Sequence, residues 1–260
     1  MLRAALIALA ALATPAAAFD APARVDLLPG WRMADGRHVA AVRIALDPGW
    51  KTYWRAPGDG GIPPEFRWRA TNLATAAVHF PVPDVFDQGG LTSIGYRDGV
   101  ILPVVLTPAD PGVGISGTLD LAIGVCQAVC VPVEMRLSVD LPAGPGAEDA
   151  AISRALQDRP ATAAEAGVGA VDCRVDPIDD GLRLTARIPI PAPVRPDAVT
   201  VETGEPGVWV SEAAVTRDGP ALTATADLVP GDGAPFLLDR SRLRFTILSA
   251  GTAVEVRGCG

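Results

Sequence analysis

The sequence predicts an all-β protein, two sandwich-like domains joined by one short linker helix. Three observations carry that expectation. Apolar residues recur with a period of two, helical periodicity is rare, and 25 prolines and 27 glycines cut the 260-residue chain into short runs.

Residues 1–18 read as a cleaved export leader. Arg3 precedes an apolar run from Ala4 to Ala13, and the small residues Thr14 to Ala18 end in the pattern Ala16-x-Ala18. The run is shorter than the ~20 residues that span a bilayer, and no later segment is long and charge-free enough to do so. The expected mature chain therefore starts near Phe19, outside the cytoplasm, with no membrane insertion after cleavage.

The first domain is expected over residues 19–142. Val42, Ile44 and Leu46 alternate with Ala41, Arg43 and Ala45, the pattern of a half-buried strand. Leu119, Leu121, Ile123 and Val125 form a second such set. Val133, Met135, Leu137, Val139 and Leu141 form a third, and this alternation is strict. A linker is expected over 143–166. It opens on a run rich in proline and glycine and holds one helix between Ala147 and Arg159, with Glu148 and Asp149 suiting its start and Pro160 following its stop. Strand signals resume at Leu182, Leu184, Ala186, Ile188 and Ile190. They continue through Val208-Trp209-Val210, Leu222 to Leu228, Leu243 to Leu248 and Val254 to Val256, a second β-domain over 167–260.

Charge excludes some partners. Once Arg3 leaves with the leader, 21 basic residues stand against 30 acidic ones, and no basic cluster offers nucleic acid or an anionic membrane a binding patch.

The four cysteines carry most of the chemical information. In an exported protein an even number suggests disulfides, and the economical pairing is local within each domain. Cys173 and Cys259 would enclose nearly the whole second domain, a loop whose closure is worth about 4 to 5 kcal/mol in the chain-entropy model, so that pair is read as structural. Cys126 and Cys130 sit at a hairpin neck, where Cys126 ends a strand and the next clean strand runs from about Pro132. Strand parity directs the Cys126 sulfur away from the core set. A bridge over three residues gives the least entropic stabilisation, and small exposed bridges are the more reducible ones, which favours redox exchange. Spacing alone leaves an inert hairpin disulfide equally open.

Other sites are weaker. His38 and His79, the two histidines, lie in strand-like contexts, and no Gly-x-Ser-x-Gly elbow supports a hydrolase. Asp59, in Pro57-Gly58-Asp59-Gly60-Gly61, lacks the regular acidic spacing of a calcium loop and reads as a turn. Trp31, Trp50, Trp54 and Trp68 cluster early, some for packing and some for a partner-binding rim. Two thiolates with His79 or Met135 would suit a cuprous ion, so a copper(I)-handling protein is one rival reading. A non-catalytic β-sandwich adaptor with structural disulfides is the other. No cofactor and no resident metal is expected.

The segment Gly124-Val125-Cys126-Gln127-Ala128-Val129-Cys130-Val131-Pro132-Val133-Glu134 resembles the active-site hairpin of the amino-terminal domain of DsbD-type thiol:disulfide interchange proteins. Gly49 to Asp59, Pro63-Pro64, Ile94 to Asp98 and Leu102-Pro103-Val104 resemble the same domain, particularly its ScsB-like branch. The resemblance covers roughly residues 30–141. It implies an immunoglobulin-like β-sandwich in the periplasm, whose Cys126 and Cys130 take electrons from a thioredoxin-like module and pass them to thioredoxin-fold proteins. It also implies an aromatic such as Tyr53 beside the pair, and a shielding cap loop that aligns with Phe86 to Leu91, where Phe86 and Leu91 are the candidate shields. Full-length members add a membrane conduit and a thioredoxin-like domain, which this sequence lacks. The resulting expectation is a freestanding carrier recharged by a separately encoded membrane thiol reductase. Whether it counts as an enzyme, a thiol:disulfide oxidoreductase, is left open.

Overall fold

The computed structural model describes residues 22–88, 90–191 and 196–260; the expected leader, 1–18, lies outside the described residues. The first sandwich is built from β1 (Ala23–Arg32), β2 (His38–Leu46), β3 (Lys51–Tyr53), β4 (Glu65–Thr71), β5 (Leu73–Val78), β6 (Asp84–Gln88), β7 (Leu91–Arg97), β8 (Gly99–Pro108), β9 (Ile115–Cys126) and β10 (Cys130–Leu141). One sheet runs β1-β2-β8-β5. The other runs β10-β9-β3-β7-β6, with β4 continuing the edge of β9 that β3 leaves free.

The period-two pattern explains the core. Val42 and Ile44 of β2 and Leu102, Val104 and Leu106 of β8 face Leu119, Leu121, Ile123 and Val125 of β9, all buried. Each side chain of this size contributes about 1.5 to 3 kcal/mol on burial. β2 departs from the half-buried expectation, because Val39 and Ala41 on its other face are buried as well. The cause is α1 (Ala150–Gln157), whose Ile152 packs on those two residues. Asp149 caps this helix, its carboxylate accepting the N–H groups of Ala151 at 2.7 Å and Ile152 at 3.1 Å. The helix expected in the linker thus forms part of the first sandwich's wall.

A second sandwich follows, built from β11 (Ala161–Thr162), β12 (Asp172–Ile178), β13 (Gly181–Pro189), β14 (Ala198–Glu202), β15 (Val208–Val210), β16 (Ala214–Asp218), β17 (Ala221–Pro230), β18 (Arg244–Ser249) and β19 (Thr252–Arg257). Its sheets run β11-β19-β18-β14 and β12-β13-β17-β15, with β16 also on β17. Leu184, Ala186 and Ile188 of β13 meet Phe245 and Ile247 of β18 between them. Cys173 and Cys259 are bonded, tying β12 to the segment after β19 across a sequence separation of 86. The fold is therefore all-β, an immunoglobulin-like sandwich followed by a second sandwich.

The two sandwiches touch through a mixed surface. Leu248, Ala253 and Ala198 of the second join the core cluster of the first. Beside them Arg55, just past β3, donates to both Glu202 carboxylate oxygens at 3.1 Å and to Glu255 at 2.9 Å. Its side chain is only 15% exposed, so these pairs are little screened by water. Truncating one partner of such a cluster strands the opposing charges. Arg55→Ala should therefore lower the stability of the protein by about 2 to 4 kcal/mol, read as a fall in the urea midpoint.

Candidate functional site

Cys126 and Cys130 are the last residue of β9 and the first of β10, directly opposite each other in the ladder. The second strand thus starts two residues earlier than its hydrophobic pattern suggests. The sulfurs are bonded at 2.06 Å, and Gln127, Ala128 and Val129 form the exposed connection. Cys130 is half-buried, whereas Cys126 is fully buried. Parity does set Cys126 apart from the core, since it shares a face with Gly124 and Ala122, opposite Ile123 and Val125. That outer face is nevertheless covered, and the cover comes from β3 and the loop after it.

β3 lies between β9 and β7, with Lys51 opposite Cys126 and Tyr53 opposite Gly95. This register stands Tyr53 on the sulfurs' side of the sheet. Its hydroxyl donates to Cys126 Sγ at 2.8 Å and lies 3.3 Å from Cys130 Sγ and 3.3 Å from the Gly60 carbonyl oxygen. The ring needs a flat slot, which two glycines provide. A Cβ on Gly124 would stand 2.7 Å from Ile62 Cβ and 3.0 Å from the Tyr53 ring; one on Gly61 would stand 2.9 Å from the ring's other edge. The loop is pinned in turn by the Ile94 N–H, which donates to the Pro57 carbonyl at 2.8 Å.

The two expected shields take different positions. Phe86, on β6, is buried under two cations, with Arg97 Cζ 4.3 Å and Lys51 Nζ 5.1 Å from its ring centroid. It shares the sulfurs' sheet face, with Lys51 in between. Leu91 opens β7 and is exposed, resting against Gly60, whose carbonyl faces the Tyr53 hydroxyl. Gly89 and the side chain of Gln88, at the tip of this hairpin, lie outside the described residues. Burial, and after it the charge of Arg97, pushes the Lys51 ammonium below its ordinary pKa, with Asp87 opposing. Both cations are thus directed at Phe86, on the far side of β3 from the sulfurs.

Sequence reasoning missed the slot. Gly124 inside a strand pattern is a signal of close approach, but nothing local indicates which ring fills it. It also missed Trp209, the exposed tryptophan of β15, having looked for a rim among the early ones; of those, Trp54 is fully buried, and Trp31, Trp50 and Trp68 are partly buried against the cores. Asp59 sits in the loop over the pair and accepts the Glu212 N–H at 3.1 Å from the second sandwich. Both histidines belong to the other sheet's side of the sandwich; His38 is buried in β2 with Nε2 2.6 Å from the Pro29 carbonyl oxygen. Met135 packs on the core side of β10, away from Cys130, and among the described residues no three His, Cys, Asp or Glu side chains converge as a metal site. No described helix is long and apolar enough to cross a membrane.

Comparison with known proteins agrees with this geometry. Residues 24–142 match the family model of the amino-terminal domain of the thiol:disulfide interchange protein DsbD. Among solved structures, the N-terminal periplasmic domain of ScsB from Proteus mirabilis is similar, at 26% identity over 92% of each chain with a TM-score of 0.60. A marsupial T cell receptor overlaps at 10% identity and a TM-score of 0.18, too low to bear on the fold. No curated protein matches the sequence. Residues 24–142, with their bonded hairpin pair, are therefore a thiol:disulfide interchange domain of the DsbD amino-terminal family.

Proposed function

We propose that the chain works in the periplasm as a carrier of reducing equivalents, with Cys126 and Cys130 as its exchanging pair and thioredoxin-fold proteins as its donors and acceptors. The observation that carries this reading is the asymmetry of the pair: one sulfur is reachable, and the other is buried against a hydroxyl that donates to it. A family whose amino-terminal domains perform thiol:disulfide interchange supports it.

The chemistry follows from the asymmetry. A donor thiolate attacks Cys130 Sγ in line with the S–S bond, from the side opposite Cys126. The new sulfur–sulfur bond forms as the old one breaks, and the electron pair goes to Cys126 Sγ. The Tyr53 O–H is already aimed at that atom, so it stabilises the thiolate as it leaves. The donor's second thiolate then attacks its own mixed-disulfide sulfur and releases Cys130. Two electrons and two protons have moved, and the donor carries the disulfide. Toward an acceptor the steps reverse, with Cys130 attacking and Cys126 resolving. The Cys173–Cys259 bond serves as a brace in this reading, since it closes a long loop far from the pair in sequence.

Oxidised protein mixed with reduced thioredoxin should gain two alkylatable thiols, at Cys126 and Cys130. A hairpin bond that survives millimolar dithiothreitol would sink the proposal. The single variants separate the sulfurs: Cys126→Ser should be trapped through Cys130 as a mixed disulfide with an aromatic disulfide reagent within seconds, and Cys130→Ser at least about a hundredfold more slowly, because its remaining thiol is covered.

Tyr53→Phe should slow reduction by dithiothreitol about tenfold, since a hydrogen bond to a charged group is worth about 1.5 to 3 kcal/mol and only part of that is expressed in the transition state. Replacing Cys173 and Cys259 together by serine should cost about 4 to 5 kcal/mol in a denaturant titration while leaving the exchange rate at the hairpin unchanged.

A further inference from the structure

Among the described residues the exposed large apolar side chains are Ile62, Leu91, Val113, Val129, Trp209 and Leu237. Four of these surround the pair or border the cleft beside it. Val129 lies in the hairpin connection, Ile62 covers Gly124, and Leu91 rests on Gly60. Trp209, 53% exposed, belongs to the second sandwich. It lines a cleft of about 390 Å³ together with Pro57, Asp59, Gly61, Pro63 and Thr92, residues of the loop over the disulfide and of the neighbouring hairpin.

The second sandwich's side of this cleft is built from strand edges. β14 and β15 are each the last strand of their sheet. Residues of both pleat orientations border the cleft, Val199 with Thr200 on one strand and Val208 with Trp209 on the other, so open backbone edges face it. The hydroxyl of Thr200 there is buried without a hydrogen-bond partner. Such a group is normally satisfied.

One loop borders both the cleft and the disulfide, with Asp59 and Gly61 lining the cleft while Gly60 and Ile62 lie against Tyr53 and Gly124. Thr92 donates to the Glu212 carboxylate at 2.7 Å, and the Glu212 N–H donates to Asp59, so the segment just after β15 is fastened to the loop that holds Tyr53 in place. A protein attacking Cys130 must also cover what surrounds it. A stable protein contact occupies about 800 Å² on each side, a disc roughly 30 Å across, far wider than the mouth of one disulfide.

We propose that the exchange partner is gripped by both sandwiches. Its reactive thiol, set among apolar side chains, sits over Cys130 inside the rim of Ile62, Leu91 and Val129. An extended segment beside that thiol lies in the cleft against Trp209 and the free edge of β15. This rests on the exchange reading above, and it adds a role for the second sandwich: recognition, with no part in the chemistry. Tryptophan at the centre of a contact is the residue type whose truncation costs most.

The test compares a protein reductant with a small one on the same disulfide. Trp209→Ala and Trp209→Glu should slow reduction by reduced thioredoxin about tenfold or more and leave reduction by dithiothreitol unchanged. A thioredoxin rate equal to that of the unsubstituted protein overturns the proposal. So does an equal fall with both reagents, which would mean that Trp209 shapes the disulfide itself, and so does a hairpin bond that opens to dithiothreitol but never to thioredoxin. Failure of the exchange reading would look different, because the unsubstituted protein would then stay oxidised in both reagents.

Discussion

β3 is three residues long, yet it is hydrogen-bonded on both edges, to β9 through Lys51 and Thr52 and to β7 through all three of its residues. That double pairing fixes where the next side chains go. Tyr53 projects onto the outer face and reaches the sulfurs. Trp54 turns into the core, where it is fully buried. Arg55 returns outward and binds the carboxylates of the second sandwich. Three consecutive residues thus serve the hairpin disulfide, the packing and the contact between sandwiches, and the alternation of a strand is what distributes them.

The parts of this arrangement that depend on local pattern were legible in the sequence. Leu119 to Val125 and Val133 to Leu141 place their own core faces by period alone, and the hairpin between them follows. Pairing of the cysteines by proximity matches the bonds seen. Parity also separated Cys126 from the core. It could not tell an outward residue from an exposed one, because the cover arrives from a loop some sixty residues earlier in the chain. The same limit applies to β2, whose outer face is buried by a helix from beyond β10. Tyr53 came from resemblance rather than from pattern. Phe86, one of two candidate shields by resemblance, lies beneath Lys51 and Arg97, a placement set by charges on neighbouring strands that no single segment contains.

Gly124 in β9 and Gly61 in the loop after β3 illustrate how packing can be given up for shape. Each lacks a side chain where the Tyr53 ring must lie flat, and the conformational cost of glycine in ordered structure, about 0.5 to 1 kcal/mol against alanine, is the expense of that slot. The long flanking ladder of β9 and β10, together with the hydrophobic face behind it, is large enough to absorb it.

The short neck of the hairpin has a kinetic consequence. Because twelve-residue strands clamp Cys126 and Cys130 opposite each other, reduction leaves the two thiols side by side, and each sees the other at a very high effective concentration. In the proposed exchange, a covalent complex formed at Cys130 is then always within reach of intramolecular attack by Cys126. Such an adduct is short-lived whichever way it resolves. On that proposal, discrimination among partners is exercised in the non-covalent encounter, before any bond is made, since too little residence time remains afterwards to correct a wrong choice.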